Sequence, residues 1–122
     1  MSDKKTYLFV DDSRVSRMKI RQLVAKIKPE WELVEAISGE EAKEKTSTIR
    51  PDFISLDINM PGMGGIEAVS HLRSNCPAAK IVLLSGNVQD DMKAQGQALG
   101  VGFVEKPITE ACIASVIAFF ES

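Results

Sequence analysis

The stretch Tyr7-Leu8-Phe9-Val10-Asp11-Asp12 determines the fold that we predict for this chain. Four strand-forming apolar residues follow one another without a polar interruption, and the run stops abruptly at two carboxylates. Similar short runs recur along the chain and are predicted as strands: Trp31 to Ala36, Phe53 to Leu56, Ile81 to Leu84 and Val101 to Glu105. Continuous apolar strands of this kind are typical of a parallel sheet that is covered on both faces.

Longer segments with apolar residues at helical spacing separate these strands. Ser13 and Thr109 are suitable N-cap residues for the first and last predicted helices, and Ser38 opens the second. Ile66 marks a third helix, and a fourth is predicted from about Asp90 to Leu99. Strand–helix units joined by right-handed crossovers predict a three-layer, doubly wound α/β fold, with a five-stranded parallel sheet in the flavodoxin-like order 2-1-3-4-5.

The composition favours one soluble domain. The chain has 122 residues, 15 Lys and Arg against 17 Asp and Glu, and 44% hydrophobic residues. We expect a single domain over residues 1–122, and the nearly balanced charge provides no basic field for nucleic acid or a membrane. Cys76 and Cys112 lie far apart, which favours reduced thiols, and the first residues lack an apolar signal segment. We therefore expect a cytoplasmic protein.

Polar residues follow four of the predicted strands, at the point where each strand ends. They are Asp11 and Asp12 after the first strand, Asp57 after the third, Ser85 after the fourth and Lys106 after the fifth. In open parallel sheets this edge binds ligands, near the point where the strand order reverses. Carboxylates in contact repel by about 4 kcal/mol per pair at an effective dielectric near 20, and a hard cation such as Mg²⁺ relieves that repulsion.

The remaining groups at this edge suit a phosphoryl group. A lysine and a hydroxyl can bind phosphoryl oxygens, and a carboxylate can itself be the nucleophile that forms an acyl phosphate. The five residues together therefore predict Mg²⁺-assisted phosphoryl transfer to an aspartate.

These motifs resemble the receiver domain of bacterial two-component response regulators, in particular the stand-alone chemotaxis-type members that have no output domain. The resemblance covers the whole chain and rests on Asp11-Asp12, on the run from Asp57 to Gly65, on Ser85 and on Lys106-Pro107. It implies a phosphoprotein that accepts a phosphoryl group from a histidine kinase or phosphotransfer protein. The signal then passes to a downstream target protein by binding.

The resemblance also implies the role of each residue in the acidic part of the site. Asp57 is the phosphorylated residue, and Asp11 and Asp12 hold Mg²⁺ together with Asp57 and the backbone carbonyl of Asn59. Asn59 and Asn87 occupy the two positions that tune the lifetime of the phosphate in this family.

Three further residues have roles that the resemblance implies. Ser85 binds a phosphoryl oxygen and moves when the phosphate arrives, while Lys106 pairs with the phosphate and is followed by an expected cis bond to Pro107. Phe103 lies at the aromatic switch position, where a ring moves inward upon phosphorylation. A strand residue that simply packs in the core is an equally good interpretation of Phe103.

Other interpretations of function remain open. A phosphate sink or a relay intermediate would use the same residues. An aspartyl-phosphate phosphatase would want a second acid two positions after the nucleophile, where Asn59 stands. We therefore expect no enzyme activity beyond the chain's own phosphorylation and dephosphorylation.

The last helix has an unusually wide apolar surface. Its apolar residues, Cys112, Ile113, Val116, Ile117, Phe119 and Phe120, cover an arc of about 160°. The surplus predicts an exposed apolar edge near Cys112 and Phe119, where a homodimer or a target could bind. The alternative is that the end of this helix packs against the first helix.

Overall fold

The computed structural model of the chain describes residues 4–58, 65–86, 94 and 96–122. The strands are β1 (Thr6–Val10), β2 (Glu32–Ala36), β3 (Phe53–Asp57), β4 (Lys80–Ser85) and β5 (Gly102–Glu105). The helices are α1 (Arg14–Ile27), α2 (Gly39–Lys45), α3 (Gly65–Asn75) and α4 (Glu110–Glu121). Most of the helix predicted from Asp90 lies outside the described residues, and residues 96–98 of it are helical.

The strands form one parallel sheet in the order β2-β1-β3-β4-β5, which confirms the predicted topology. In its register Val10 pairs with Ala36 and Leu56, Asp57 pairs with Leu84, and Ser85 pairs with Glu105. The strands therefore finish side by side, and the polar residues that follow them share one edge of the sheet.

Alternate residues of each strand point to opposite faces, and each face has its own core. One face packs on α2 and α3 and includes Leu8, Val10, Ile54, Leu56, Ile81, Leu83, Ala68, Val69 and Leu72. The other packs on α1 and α4 and includes Tyr7, Phe9, Phe53, Val82, Leu84, Ile20, Val24, Ile113 and Val116. Tyr7 carries the only hydroxyl among these named residues, and it lies 2.6 Å from the hydroxyl of the buried Ser55.

The predicted helix caps are confirmed. The side chain of Ser13 accepts a hydrogen bond from the Ser16 amide, and that of Thr109 accepts one from the Cys112 amide. The second strand begins one residue later than predicted, at Glu32. The reason is that the Trp31 amide donates to the Lys28 carbonyl in the preceding turn and is not available to the sheet.

The exposed apolar edge predicted for the last helix is absent. Cys112 is 6% exposed, and Phe119 is half-buried with its ring against Gly102 in β5. A Cβ atom on that glycine would lie only 2.7 Å from the ring. The exposed side of α4 carries small residues instead, such as Ala111 and Ala114. None of the helices in the described ranges has the length and apolar character of a membrane-spanning segment.

Candidate functional site

The carboxylates of Asp11, Asp12 and Asp57 come together where β1 and β3 end. Each contributes an oxygen, and these oxygens all lie within 4.8 Å of one another. Asp11 and Asp57 are buried, at 1% and 5% exposure, whereas Asp12 is exposed. The site therefore consists of two buried carboxylates and one carboxylate that is exposed to solvent.

Lys106 lies between the two buried carboxylates. Its Nζ is 3.2 Å from Asp11 Oδ2 and 3.3 Å from Asp57 Oδ2. Partial burial works to lower the pKa of Lys106, but the negative charges of Asp11 and Asp57 outweigh it and raise the pKa above its usual value. Lys106 therefore carries a positive charge into the site. The bond between Lys106 and Pro107 is cis, as predicted.

Ser85 lies next to Lys106, where β4 ends. It is the last residue of β4, it is fully buried, and its backbone carbonyl accepts a hydrogen bond of 2.9 Å from the Lys106 amide. The next residue, Gly86, borders open space, because a Cβ there would meet no atom within 4 Å. Among the described residues, none therefore obstructs a group that enters at Gly86.

Phe103 lies in β5, where it pairs with Leu83, two residues before Ser85 in β4. Its half-buried side chain packs against the α2 and α3 core, and its ring covers Gly96 so closely that a Cβ there would lie 2.3 Å away. Asn59 and Asn87, the other residues that the sequence places near the site, lie outside the described residues.

Arg17 and Glu35 take part in the site although no sequence motif includes them. Arg17 Nη1 donates to the backbone carbonyl of Asp11 at 2.8 Å, and its Nε donates to Glu35 Oε1 at 2.9 Å. Glu35 is a charged residue inside β2, and a charge within a predicted strand is the signal that could have identified it.

The donor set fits a hard divalent cation. Three carboxylates and one ammonium group leave two negative charges uncompensated among these four side chains. Mg²⁺ binds oxygens at about 2.1 Å, so opposite ligands of its octahedron are about 4.2 Å apart. Oxygens already within 4.8 Å of one another can converge on one such ion with small side-chain adjustments.

Comparisons with known proteins identify the family of the chain. Residues 7–118 match the family model of the response regulator receiver domain. The chain is 35% identical over 105 residues to the chemotaxis protein CheY of Thermotoga maritima, over 84% of this chain and 86% of that protein. It is also 35% identical over 99 residues to a protein-glutamate methylesterase of Aliivibrio fischeri, of which it spans only 26%. Among solved structures, the chemotaxis protein CheY4 of Vibrio cholerae is similar, at 29% identity and a TM-score of 0.85, over 94% of this chain and 97% of that one.

Proposed function

Because the chain belongs to the response regulator receiver domains, the phosphorylation-activated switches of two-component signalling, we propose that Asp57 is its phosphoryl acceptor. The observation that carries this assignment is the position of Asp57 among the charged groups. Its Oδ2 lies 3.3 Å from the Lys106 ammonium, and an oxygen of its carboxylate lies within 4.8 Å of the other two carboxylates. Asp57 also ends β3, between β1 and β4 in the sheet.

The reaction is phosphoryl transfer from a phosphohistidine of a kinase or phosphotransfer protein. A carboxylate oxygen of Asp57 attacks phosphorus, a P–O bond forms, and the P–N bond to the donor breaks. The electron pair of that bond returns to the donor imidazole, which takes up a proton. Lys106 and the Ser85 hydroxyl then donate to oxygens of the new phosphoryl group.

Receiver domains bind Mg²⁺ at an acidic pocket, and we assign that pocket here to Asp11, Asp12 and Asp57. The backbone carbonyl of Asn59, outside the described residues, is the further ligand that the family implies. When bound, Mg²⁺ neutralises negative charge on the transferring phosphoryl oxygens. Asp11 holds its place through bonds to Ser13 and Lys106, whereas the exposed Asp12 can adjust to the ion.

The switch follows from the new charge on Asp57. Phosphorylation replaces the single negative charge of the Asp57 carboxylate with a phosphoryl group that carries roughly 1.5 to 2 negative charges, so roughly one negative charge or less is gained beside Lys106 and Ser85. Movement of Ser85 towards it changes the packing next to β5, and we assign the response to the ring of Phe103. The chain acts in this proposal on its own Asp57, not as an enzyme that turns over a small substrate.

The phosphoryl donor docks over the beginning of α1. Val15 and Met18 are 61% and 51% exposed there, although both are apolar. Val15 borders a groove of about 380 Å³ near the site. The other residues that line this groove are Ser16, Lys19, Gly86, Lys106, Pro107 and Ile108. This groove leads to Lys106, so a protein seated on it can present a phosphohistidine to Asp57.

The pathway and the other partners rest on the relatives. The CheY relatives are chemotaxis proteins, and they support a role in chemotaxis signalling for this chain. In this proposal a downstream target protein binds the phosphorylated form. A cytoplasmic location agrees with the two cysteines, which are both buried and free. A homodimer through α4 has weaker support, because Cys112 and Phe119 are covered within the chain. Sedimentation with and without beryllofluoride, a mimic of the acyl phosphate, tests the dimer.

Intact-mass spectrometry after incubation with Mg²⁺ and acetyl phosphate tests the acceptor. We expect one added phosphoryl group on the wild type and none on Asp57→Asn. Equal labelling of both proteins would refute the assignment of Asp57. If neither protein is labelled, binding of beryllofluoride by the folded wild type separates a need for the kinase from an inactive site.

A further inference from the structure

Each polar atom of Asp11 forms a hydrogen bond with a different residue. Its amide donates to the Ala36 carbonyl at 3.1 Å, and its Oδ1 accepts from the Ser13 amide at 2.8 Å. Its Oδ2 accepts from Lys106, and its carbonyl oxygen accepts from Arg17 Nη1 at 2.8 Å. The bond from Arg17 differs from the others, because that carbonyl belongs to the peptide that joins Asp11 to Asp12.

A peptide unit is planar, so a bond that fixes the Asp11 carbonyl also fixes the direction in which the chain enters Asp12. The Asp12 side chain is exposed, and no hydrogen bond or ion pair to its carboxylate is found within the described parts of the chain. The orientation of its backbone is therefore what places this carboxylate towards the other two.

Arg17 is itself held firmly. Its side chain is only 14% exposed, and its Nε donates to Glu35 Oε1 at 2.9 Å. The second oxygen of Glu35 accepts from Arg21, with Nε at 2.9 Å and Nη2 at 2.8 Å. Lys45 donates to the backbone carbonyl of Glu35. These contacts hold Glu35 in place in β2, and Arg17 connects Glu35 to the backbone of Asp11.

We propose that Arg17 and Glu35 form a brace that positions Asp11 and Asp12 for cation binding. The inference rests on the Mg²⁺ site in the proposed function and extends it to two positioning residues that touch neither the cation nor the phosphoryl group. Residues that orient metal ligands from outside typically change metal affinity by 10- to 100-fold when they are replaced.

The direction in which Arg17→Met changes the Mg²⁺ affinity distinguishes the brace from a purely electrostatic effect of the arginine. Arg17→Met removes a positive charge near three carboxylates, and charge alone predicts that Mg²⁺ then binds more tightly. The brace predicts the opposite, about tenfold weaker binding. Arg21→Met is the matched control, because Arg21 has the same charge, lies one helical turn further along α1 and bonds the same Glu35, yet has no bond to Asp11.

The experiment is isothermal titration of Mg²⁺ into the wild type, Arg17→Met and Arg21→Met, with circular dichroism to confirm that each is folded. We expect about tenfold weaker binding for Arg17→Met, and unchanged or tighter binding for Arg21→Met. The amide resonance of Ser13, recorded by NMR in EDTA, supplies a readout without metal. It should shift in Arg17→Met and stay in place in Arg21→Met.

The possible results are distinguishable. If the wild type binds Mg²⁺ and Arg17→Met binds it as tightly or more tightly, the brace is wrong and the proposed function stands. If the folded wild type binds no Mg²⁺, both are overturned. Should Arg17→Met fail to fold, Arg17→Gln takes its place, since the glutamine side chain is neutral and ends two atoms short of the Nη1 with which Arg17 bonds the Asp11 carbonyl. Weaker Mg²⁺ binding by that variant supports the brace, and unchanged affinity overturns it.

Discussion

Replacement of Lys106 by methionine tests whether charge compensation holds the acidic site together. Methionine keeps much of the length of the side chain and removes the ammonium group that lies 3.2 Å from Asp11 and 3.3 Å from Asp57. Both carboxylates stay in place, almost completely buried, without their shared partner. We expect Lys106→Met to be destabilised in EDTA and to regain much of its stability in Mg²⁺.

The distances give the size of the effect. At an effective dielectric of about 20, each attraction to Lys106 amounts to about 5 kcal/mol, and oxygens 4.8 Å apart repel by about 3.5 kcal/mol. Much of the attraction is offset by the desolvation of the charges, and removal of one partner from a buried pair typically costs 3–5 kcal/mol. The Lys106 side chain is 22% exposed, so water screens part of the interaction and we expect a loss of about 2–3 kcal/mol.

Equilibrium unfolding in urea, followed by the fluorescence of Trp31, measures this loss. Trp31 packs on Phe53 at the opposite end of the sheet, with ring centroids 4.9 Å apart, so it reports unfolding and not events at the site. The loss in EDTA should shrink by half or more in saturating Mg²⁺, and Lys106→Arg, which keeps the charge, should lose less. An equal loss in EDTA and in Mg²⁺ would show that Lys106 acts through packing, and the charge argument would then be wrong.

Three further predictions concern other parts of the molecule. Mg²⁺ at about ten to a hundred times its dissociation constant should stabilise the wild type by about 1.4–2.7 kcal/mol, and Asp12→Ala should stay folded and lose this gain in thermal unfolding. Unfolding of that variant would contradict a purely electrostatic role. Partial burial works to raise the pKa of Glu35, but hydrogen bonds from two arginines outweigh it and lower the pKa below its usual 4.5. Glu35 therefore contributes stability above that pH which is lost as the pH falls through the lower folded value, and Glu35→Gln should flatten this part of the stability profile. Tyr7→Phe should cost about 1–3 kcal/mol in urea unfolding because the buried Ser55 hydroxyl loses its partner, and adding Ser55→Ala should restore most of it.

The sequence was sufficient for the parts of the fold that depend on local patterns. Apolar runs of strand length and the caps at Ser13 and Thr109 each involve residues close together in the chain, so periodicity and capping rules identify them. The convergence of Asp11, Asp57 and Lys106 was also predictable, because strand ends of a parallel sheet meet at one edge whatever the details of packing.

Two features depend on contacts between distant segments and could not be predicted in this way. The apolar arc of the last helix seemed too wide because its helical projection contains no information about β5, where Gly102 leaves the space that Phe119 fills. The link between Arg17 and Glu35 joins residues 18 positions apart in different elements. Each of them alone resembles an ordinary surface charge.

The contact between Phe103 and Gly96 has a consequence for how the signal leaves the site. The ring lies so close to Gly96 that a Cβ atom on that residue would collide with it. Inward rotation of the ring, as in the proposed switch, would open a space above Gly96, and an empty space inside a protein costs about 24 cal/mol per Å³. Movement of the Gly96 backbone into that space would lower this cost. In the proposed switch, phosphorylation of the buried Asp57 would thus reach the backbone at Gly96 as a local contraction.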